Sequence, residues 1–163
     1  MSETILAIDA GVNTGYVVAE VHDDDTVEIL EQDQFVESDY CVTVSRLAAA
    51  VDIFDITTIV TERFDLRPGN KFTADLTTVK VNAALQYLKY DAGGGLVEWV
   101  EQTPAQAKSL VSNEVLKNLG WYPTGKDVGY KDANDVRDAY RHLVYLLVTA
   151  RKNRWVSEGG WPR

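Results

Sequence analysis

Four carboxylates stand where a folded chain can bring them together. Asp9 closes the apolar run Ile5-Leu6-Ala7-Ile8, and Glu62 closes a second, Ile59-Val60-Thr61. Asp135 and Asp138 are three apart, a spacing that puts both on one face of a helix, with Asp132 one step further back. Carboxylates gathered in one place repel each other, and burial adds a desolvation cost. Hard divalent cations that take oxygen ligands, Mg2+ or Mn2+, remove that cost. Two such ions about 4 Å apart activate a water and stabilise the leaving oxygen of a phosphodiester. No competing catalytic set is present. A nucleophilic serine or cysteine wants a histidine, and the chain has two, His22 in a turn and His142. Its one cysteine, Cys41, excludes an internal disulfide and a thiolate cluster for zinc.

Each acid also has an ordinary use. Asp9 ahead of Gly11 suits the start of a turn, and Glu62 suits a solvent-facing strand end. Asp132 reads as the N-cap of the last helix, with Asp135 at its third position completing a capping arrangement and favouring the helix dipole. Singly, each acid favours the ordinary use. Two buried strands that both end in acids favour a joint site.

The elements that must position these groups can be read from the pattern. Thr4–Asp9 is a short buried strand bounded by Gly11 and the turn signal Asn13-Thr14-Gly15. Tyr16–Val21 and Thr26–Val36 are strands joined through His22-Asp23-Asp24-Asp25, so the chain opens as an antiparallel meander. Val44, Leu47, Ala48, Val51 and Phe54 fall on one helical face within Val42–Phe54, and the β-branched Ile56–Thr61 is a further strand. A loop with Arg67-Pro68-Gly69-Asn70-Lys71 leads to a helix over Thr73–Tyr90; Gly93-Gly94-Gly95 precedes a strand over Leu96–Val100. Pro104 opens a helical stretch that breaks near Ser112-Asn113 and ends at Gly120. Residues 121–131 form a loop, and the last helix spans Asp132–Lys152 with Leu143, Leu146, Leu147 and Ala150 as its core stripe. A meander followed by strand–helix alternation implies an α/β fold, a mixed five-stranded sheet with helices on its faces. One domain over residues 1–155, with a tail at 156–163, suits the 163 residues.

The composition is that of an ordinary globular protein, 45% apolar and 25% charged, and no apolar run nears the roughly 18 residues of a membrane span. The acidic start and single cysteine favour a cytoplasmic setting. A net charge of −9 argues against an anionic partner, but its distribution is uneven. Residues 1–62 hold one basic residue, Arg46, against fourteen acidic ones; residues 63–163 hold fifteen basic against eleven acidic. Such a split hints at a nucleic-acid face on one side, and equally at a solvated acidic surface.

The motifs resemble, in order and spacing, those of RuvC-type Holliday junction resolvases, which have a ribonuclease-H-like fold. Ile5-Leu6-Ala7-Ile8-Asp9-Ala10-Gly11-Val12-Asn13-Thr14-Gly15-Tyr16 is similar to the family's opening strand with its catalytic Asp. Ile59-Val60-Thr61-Glu62-Arg63-Phe64 resembles the second motif, and Asp135-Val136-Arg137-Asp138-Ala139-Tyr140-Arg141-His142 the last. Gln102-Thr103-Pro104-Ala105-Gln106-Ala107-Lys108 resembles the segment that opens the third helix. The resemblance implies that Asp9, Glu62, Asp135 and Asp138 ligate two Mg2+ or Mn2+ ions, and that Lys108 neutralises phosphate near the cleaved bond. It implies backbone contact by Lys117 and a junction-probing loop around Arg67, Asn70 and Lys71, with Phe64 and Leu66 as apolar groups for a wedge. It also implies a homodimer acting on four-way DNA junctions, and the compact, divergent sequence suggests a phage-encoded version working in the host cytoplasm. Arg137, Arg141, Arg151, Lys152 and Arg154 add positive charge on or after the last helix. Other readings stay open: an actin-like ATPase or sugar kinase, whose first phosphate loop Asp9-x-Gly11-x-x-Thr14-Gly15 also resembles but which needs two such halves; another nuclease of the same fold, of YqgF type or acting on RNA–DNA hybrids; and a non-catalytic nucleic-acid-binding module.

Overall fold

The computed structural model describes residues 2–64, 76–91 and 97–161. Five strands, β1 (Glu3–Asp9), β2 (Asn13–Val21), β3 (Val27–Val36), β4 (Thr58–Glu62) and β5 (Glu98–Gln102), form one sheet in the order β3-β2-β1-β4-β5. The first three are antiparallel neighbours, and β4 and β5 add parallel to β1. This is the mixed, ribonuclease-H-like sheet expected from the sequence. The helices are α1 (Tyr40–Ile53), α2 (Thr77–Asp91), α3 (Pro104–Leu110), α4 (Asn113–Asn118), the single turn α5 (Gly125–Val128), α6 (Asn134–Thr149) and α7 (Arg154–Gly160).

Strand alternation divides the core in two. Side chains along a strand point to opposite faces in turn. Ile5, Ala7, Val17, Ala19 and Val60 pack with Val136, Ala139, Tyr140, Leu143 and Leu147 of α6. Leu6, Ile8, Val18 and Ile59 pack on the other face with Val44 and Leu47 of α1 and Val81 and Leu85 of α2. Because both faces are covered, Ile5 to Ile8 are all fully buried, which is why the strand reads as an unbroken apolar run. The same parity decides where the acids go. Asp9 follows Ile5 and Ala7, and Glu62 follows Val60, so both emerge on the α6 face.

Some boundaries differ from the sequence reading, for local reasons. Ser112 caps α4 by accepting from the Val115 N–H, which separates α4 from α3 at the expected break. The N-cap of α6 is Ala133, not Asp132, and no side chain of the cap residue serves it. Ala150 is the exposed C-cap of α6, while Leu143, Leu146 and Leu147 are buried as expected. Residues 156–160, expected within a tail at 156–163, belong to α7, whose Val156 is fully buried; Trp155 lies against Trp121, with ring centroids 5.7 Å apart. Arg67, Asn70, Lys71 and Leu66 lie outside the described residues, as does the Gly93-Gly94-Gly95 break.

Candidate active site

The carboxyl end of the sheet opens between β1 and β4. Their ladder runs from Ile5↔Thr58 to Ile8↔Thr61 and stops one residue short of both acids. Beyond it, Asp9 pairs outward with Gly15 of β2, and Glu62 pairs outward with Gln102 of β5. In parallel sheets the crevice where neighbouring strands diverge at their carboxyl ends is the usual ligand site. Here that crevice carries a carboxylate on each lip.

Helix α6 supplies the other two acids because β2 and β3 let it come close. Asp9, Gly15 and Gln34 lie in one row across β1, β2 and β3. At Gly15 a Cβ would collide with the backbone of Asp135 and Val136, so only glycine allows the helix to seat there. Buried Gln34 then grips the helix start: its Oε1 accepts from the Asp135 N–H at 3.2 Å, and its Nε2 donates to the Asp132 carbonyl at 3.2 Å. An orphan N–H of the first turn is thus satisfied from β3. That leaves the Asp135 carboxylate to face the site, while Asp132 is exposed and accepts from the Asn134 N–H.

The charges converge on Asp9. Burial raises its carboxyl well above the ordinary 3.8, and the charges of Asp138, Glu62 and Asp135 push it further, with Lys108 opposing. Burial likewise raises Asp135, helped by Asp138 and Asp132. Lys108, on α3, lies 2.8 Å from Asp138 Oδ2; that hydrogen bond raises its ammonium pKa against a smaller burial effect, aided by the charges of Asp138, Asp9 and Glu62. Asp9, Glu62, Asp135, Asp138 and Lys108 therefore form one electrostatic cluster drawn from four elements.

Around the cluster lies a shell of supports that residue types alone did not reveal. Arg141 donates to Asp138, to Asn113 and, at 3.2 Å, to the Val111 carbonyl, tying α6 to the α3–α4 junction. His142, 1% exposed, places Nε2 3.6 Å from Glu62 Oε2. Gln102 Nε2 donates to the His142 carbonyl, so its Oε1 faces His142 Nδ1 at 3.0 Å and that nitrogen is the donor. The signals were faint: the buried glutamines of β3 and β5, and a histidine four residues after Asp138.

Other predicted contacts fall elsewhere. Lys117 lies 5.0 Å over the Tyr122 ring, which Arg137 also covers at 4.0 Å. Arg137 further donates to the Pro123 carbonyl at 2.8 Å. Arg151 is bound to Glu3 and Glu98 at the opposite end of the sheet, and Arg154 pairs with Glu158. Phe64 is half-buried.

All four acids offer hard oxygen, and among the described residues no hydrogen bond reaches the Asp9 carboxylate. That chemistry suits a divalent cation. As the side chains are placed, no three His, Cys, Asp or Glu among the described residues stand close enough to hold one ion. Asp138 is turned to Lys108 and Arg141, whose cations offset its charge.

No family model and no curated protein matches the sequence. Solved structures match the fold. RuvC of T. thermophilus in complex with a Holliday junction substrate superposes with a TM-score of 0.64 at 16% identity, over 93% of this chain and 97% of that one. The yeast mitochondrial Holliday junction resolvase Ydc2 gives 0.56 at 15% identity, over 94% and 84%. The fowlpox virus Holliday junction resolvase gives 0.59 at 11% identity, over 91% and 99%. The chain thus has the fold of the RuvC-type Holliday junction resolvases along nearly its whole length.

Proposed function

We propose that the chain is a metal-dependent endonuclease that resolves four-way DNA junctions by hydrolysing paired phosphodiester bonds. The observation that carries this reading is the convergence on Asp9 of Glu62, Asp135 and Asp138, with Lys108 beside them, at the open carboxyl end of the sheet. Among the described residues it is also where the charges of the sequence motifs meet. The fold's likeness to proteins solved with junction DNA supports the substrate class.

In this reading Asp9, Glu62, Asp135 and Asp138 hold Mg2+ or Mn2+. When bound, the ions supply an activated water and charge stabilisation for the leaving oxygen. The chain's own residues do the rest. Burial of Asp9 keeps its carboxylate out of bulk water, which would weaken its attraction for a cation. Gln34 and Gly15 fix Asp135 against the sheet. Lys108, whose side chain is half exposed, can exchange Asp138 for a phosphate oxygen while Arg141 keeps Asp138 partnered. The partner copy follows from symmetry, since a two-fold junction cut at two related positions is matched by a two-fold enzyme. Among the described residues no helix is long and apolar enough to cross a membrane; the reading keeps the cytoplasmic setting expected from the sequence.

The test uses purified protein with Mg2+ or Mn2+, and with EDTA, on four-way junction, splayed arm, linear duplex and RNA–DNA hybrid. Metal-dependent paired nicks in the junction are expected, with a dimer by sedimentation at micromolar concentration. Equal cutting of splayed arms or hybrid would replace junction resolution with a broader structure-selective nuclease. No cutting by folded protein would refute the enzymatic reading.

A further inference from the structure

The β1–β4 pairing ends at Ile8↔Thr61, one residue short of Asp9 and Glu62. Beyond that last pair Asp9 is paired with β2 and Glu62 with β5, which leaves a gap between them. Helix α2 lies on the sheet face opposite α6, and two of its polar side chains, four residues apart and hence on one helix face, reach this gap. Thr78 Oγ1 donates to the Ala10 carbonyl, directly after Asp9. Asn82 Nδ2 donates to the Glu62 carbonyl at 3.0 Å, and its Oδ1 accepts from Thr61 Oγ1 at 3.0 Å. Asn82 is 7% exposed and Thr61 is fully buried, so neither exchanges these partners for water. On the same face Val81 and Leu85 are packed in the core, which anchors the helix.

From this geometry we propose that Thr78 and Asn82 are positioning residues that staple the two diverging strand ends. The staple acts from the face opposite α6 and touches no carboxylate. It sets the distance between the carboxylate lips through the backbone, and with it the affinity of the cluster for a divalent cation. Being behind the sheet, it has no part in contacting DNA. The proposal rests on the carboxylate cluster being a cation site, and its test is built to separate the two.

The variants are Thr78→Val and Asn82→Leu, which keep shape and lose the donors, and Thr78→Ser, which restores the hydroxyl. Backbone hydrogen exchange at Gly11 and Arg63, in EDTA, reads the staple with no metal. It should accelerate about tenfold in Thr78→Val and Asn82→Leu, the loss of one buried hydrogen bond, and return in Thr78→Ser. Mn2+ affinity, read from the electron paramagnetic resonance of the free ion, should fall about tenfold or more in the first two, as when outer partners of metal ligands are removed. Junction cutting should lose kcat with KM and EDTA-state junction binding unchanged. Unchanged exchange at Gly11 and Arg63 in variants that melt normally would overturn the staple. So would a change in KM in place of kcat, or a Thr78→Ser variant as impaired as Thr78→Val. If the wild-type protein binds no Mn2+ while exchange responds as stated, the cation reading fails and the staple stands.

Discussion

Replacing Asp9 by asparagine should make the metal-free protein more stable and catalytically dead. Asp9 is the most strained charge of the site, held up by burial and by Asp138, Glu62 and Asp135. Its folded carboxyl binds a proton at pH values where the unfolded one, near 3.8, has lost it. Stability therefore falls as pH rises from the unfolded value through the raised folded one, by about 1.4 kcal/mol for each pH unit between them, and then levels off. Asparagine keeps the shape and never ionises. A buried polar group without a partner costs about 1–3 kcal/mol and a charge more, so a gain of about 2 kcal/mol at neutral pH is expected. For a chain of this size that is about 4–8 °C in melting temperature. The assay is thermal unfolding in EDTA from pH 4.5 to 8.5, with and without millimolar Mg2+. The wild type should lose stability with rising pH and regain it with Mg2+, by about 2.7 kcal/mol at a hundredfold excess over Kd. The variant should start higher, keep only the weaker slope left by Asp135, and respond little to Mg2+. A variant no more stable than wild type at pH 7.5 in EDTA, or with an unchanged pH slope, would refute the argument that like charges meet at Asp9.

Three further outcomes follow from the same geometry. Gly15→Ala drives a methyl into the backbone of Asp135; it should cost about 1–3 kcal/mol by overpacking and abolish cutting, and wild-type activity and melting would count against a tight seat for α6. Lys108→Met should leave the fold intact and slow junction cutting while junction binding in EDTA changes little; equal loss of binding and cutting would make Lys108 a general DNA contact. Arg151→Met should leave cutting unchanged and lower stability by about 1–3 kcal/mol at pH 7. Although burial pushes Glu3 up, its bonds to Arg151 and Thr58 outweigh it and hold the carboxyl below 4.5. The stability it gives is present above that value and lost as pH falls through the folded one, so variant and wild type should converge in acid.

How much of this was legible depended on whether the cause was local. The run Ile5–Ile8 and the β-branched Ile59–Thr61 announced strands because both sheet faces are covered, and parity then placed Asp9 and Glu62 together. The i, i+3 spacing of Asp135 and Asp138 needed only a helix. Asp132 looked like an N-cap because the local grammar is correct for one. The N-cap position falls on Ala133, Asp132 meets the Asn134 N–H, and the Asp135 N–H is met by Gln34, about a hundred residues away in sequence, which no local pattern reports. Thr78, Asn82 and Gln102 are hidden for the same reason: each is an ordinary polar residue until the sheet puts a backbone carbonyl or a ring nitrogen in front of it. Ligands are chosen by chemistry and can be read from residue type. Their supports are chosen by geometry and need the fold.

The acidity of the first 62 residues takes on a different meaning in three dimensions. Several of those acids are committed within the fold: Asp9 and Glu62 to the cluster, Glu3 to Arg151, Glu31 to the Tyr16 hydroxyl, Asp39 to the start of α1. Asp23, Asp24 and Glu28 are exposed at the β2–β3 hairpin, where Asp24 accepts from Thr26 and Glu28 lies 3.8 Å from His22. Glu28 lies on β3, one of the two edge strands of the sheet, which presents ten residues with a neighbour on one side only. Charge on an exposed edge strand discourages pairing with another chain, and it repels a polyanion from that side. The open end between β1 and β4 combines its four carboxylates with the cations of Lys108 and Arg141. A net charge of −9 is therefore a sum over unevenly placed groups, and a cation held by the four carboxylates would lower the negative charge at the end where the proposed reading puts DNA.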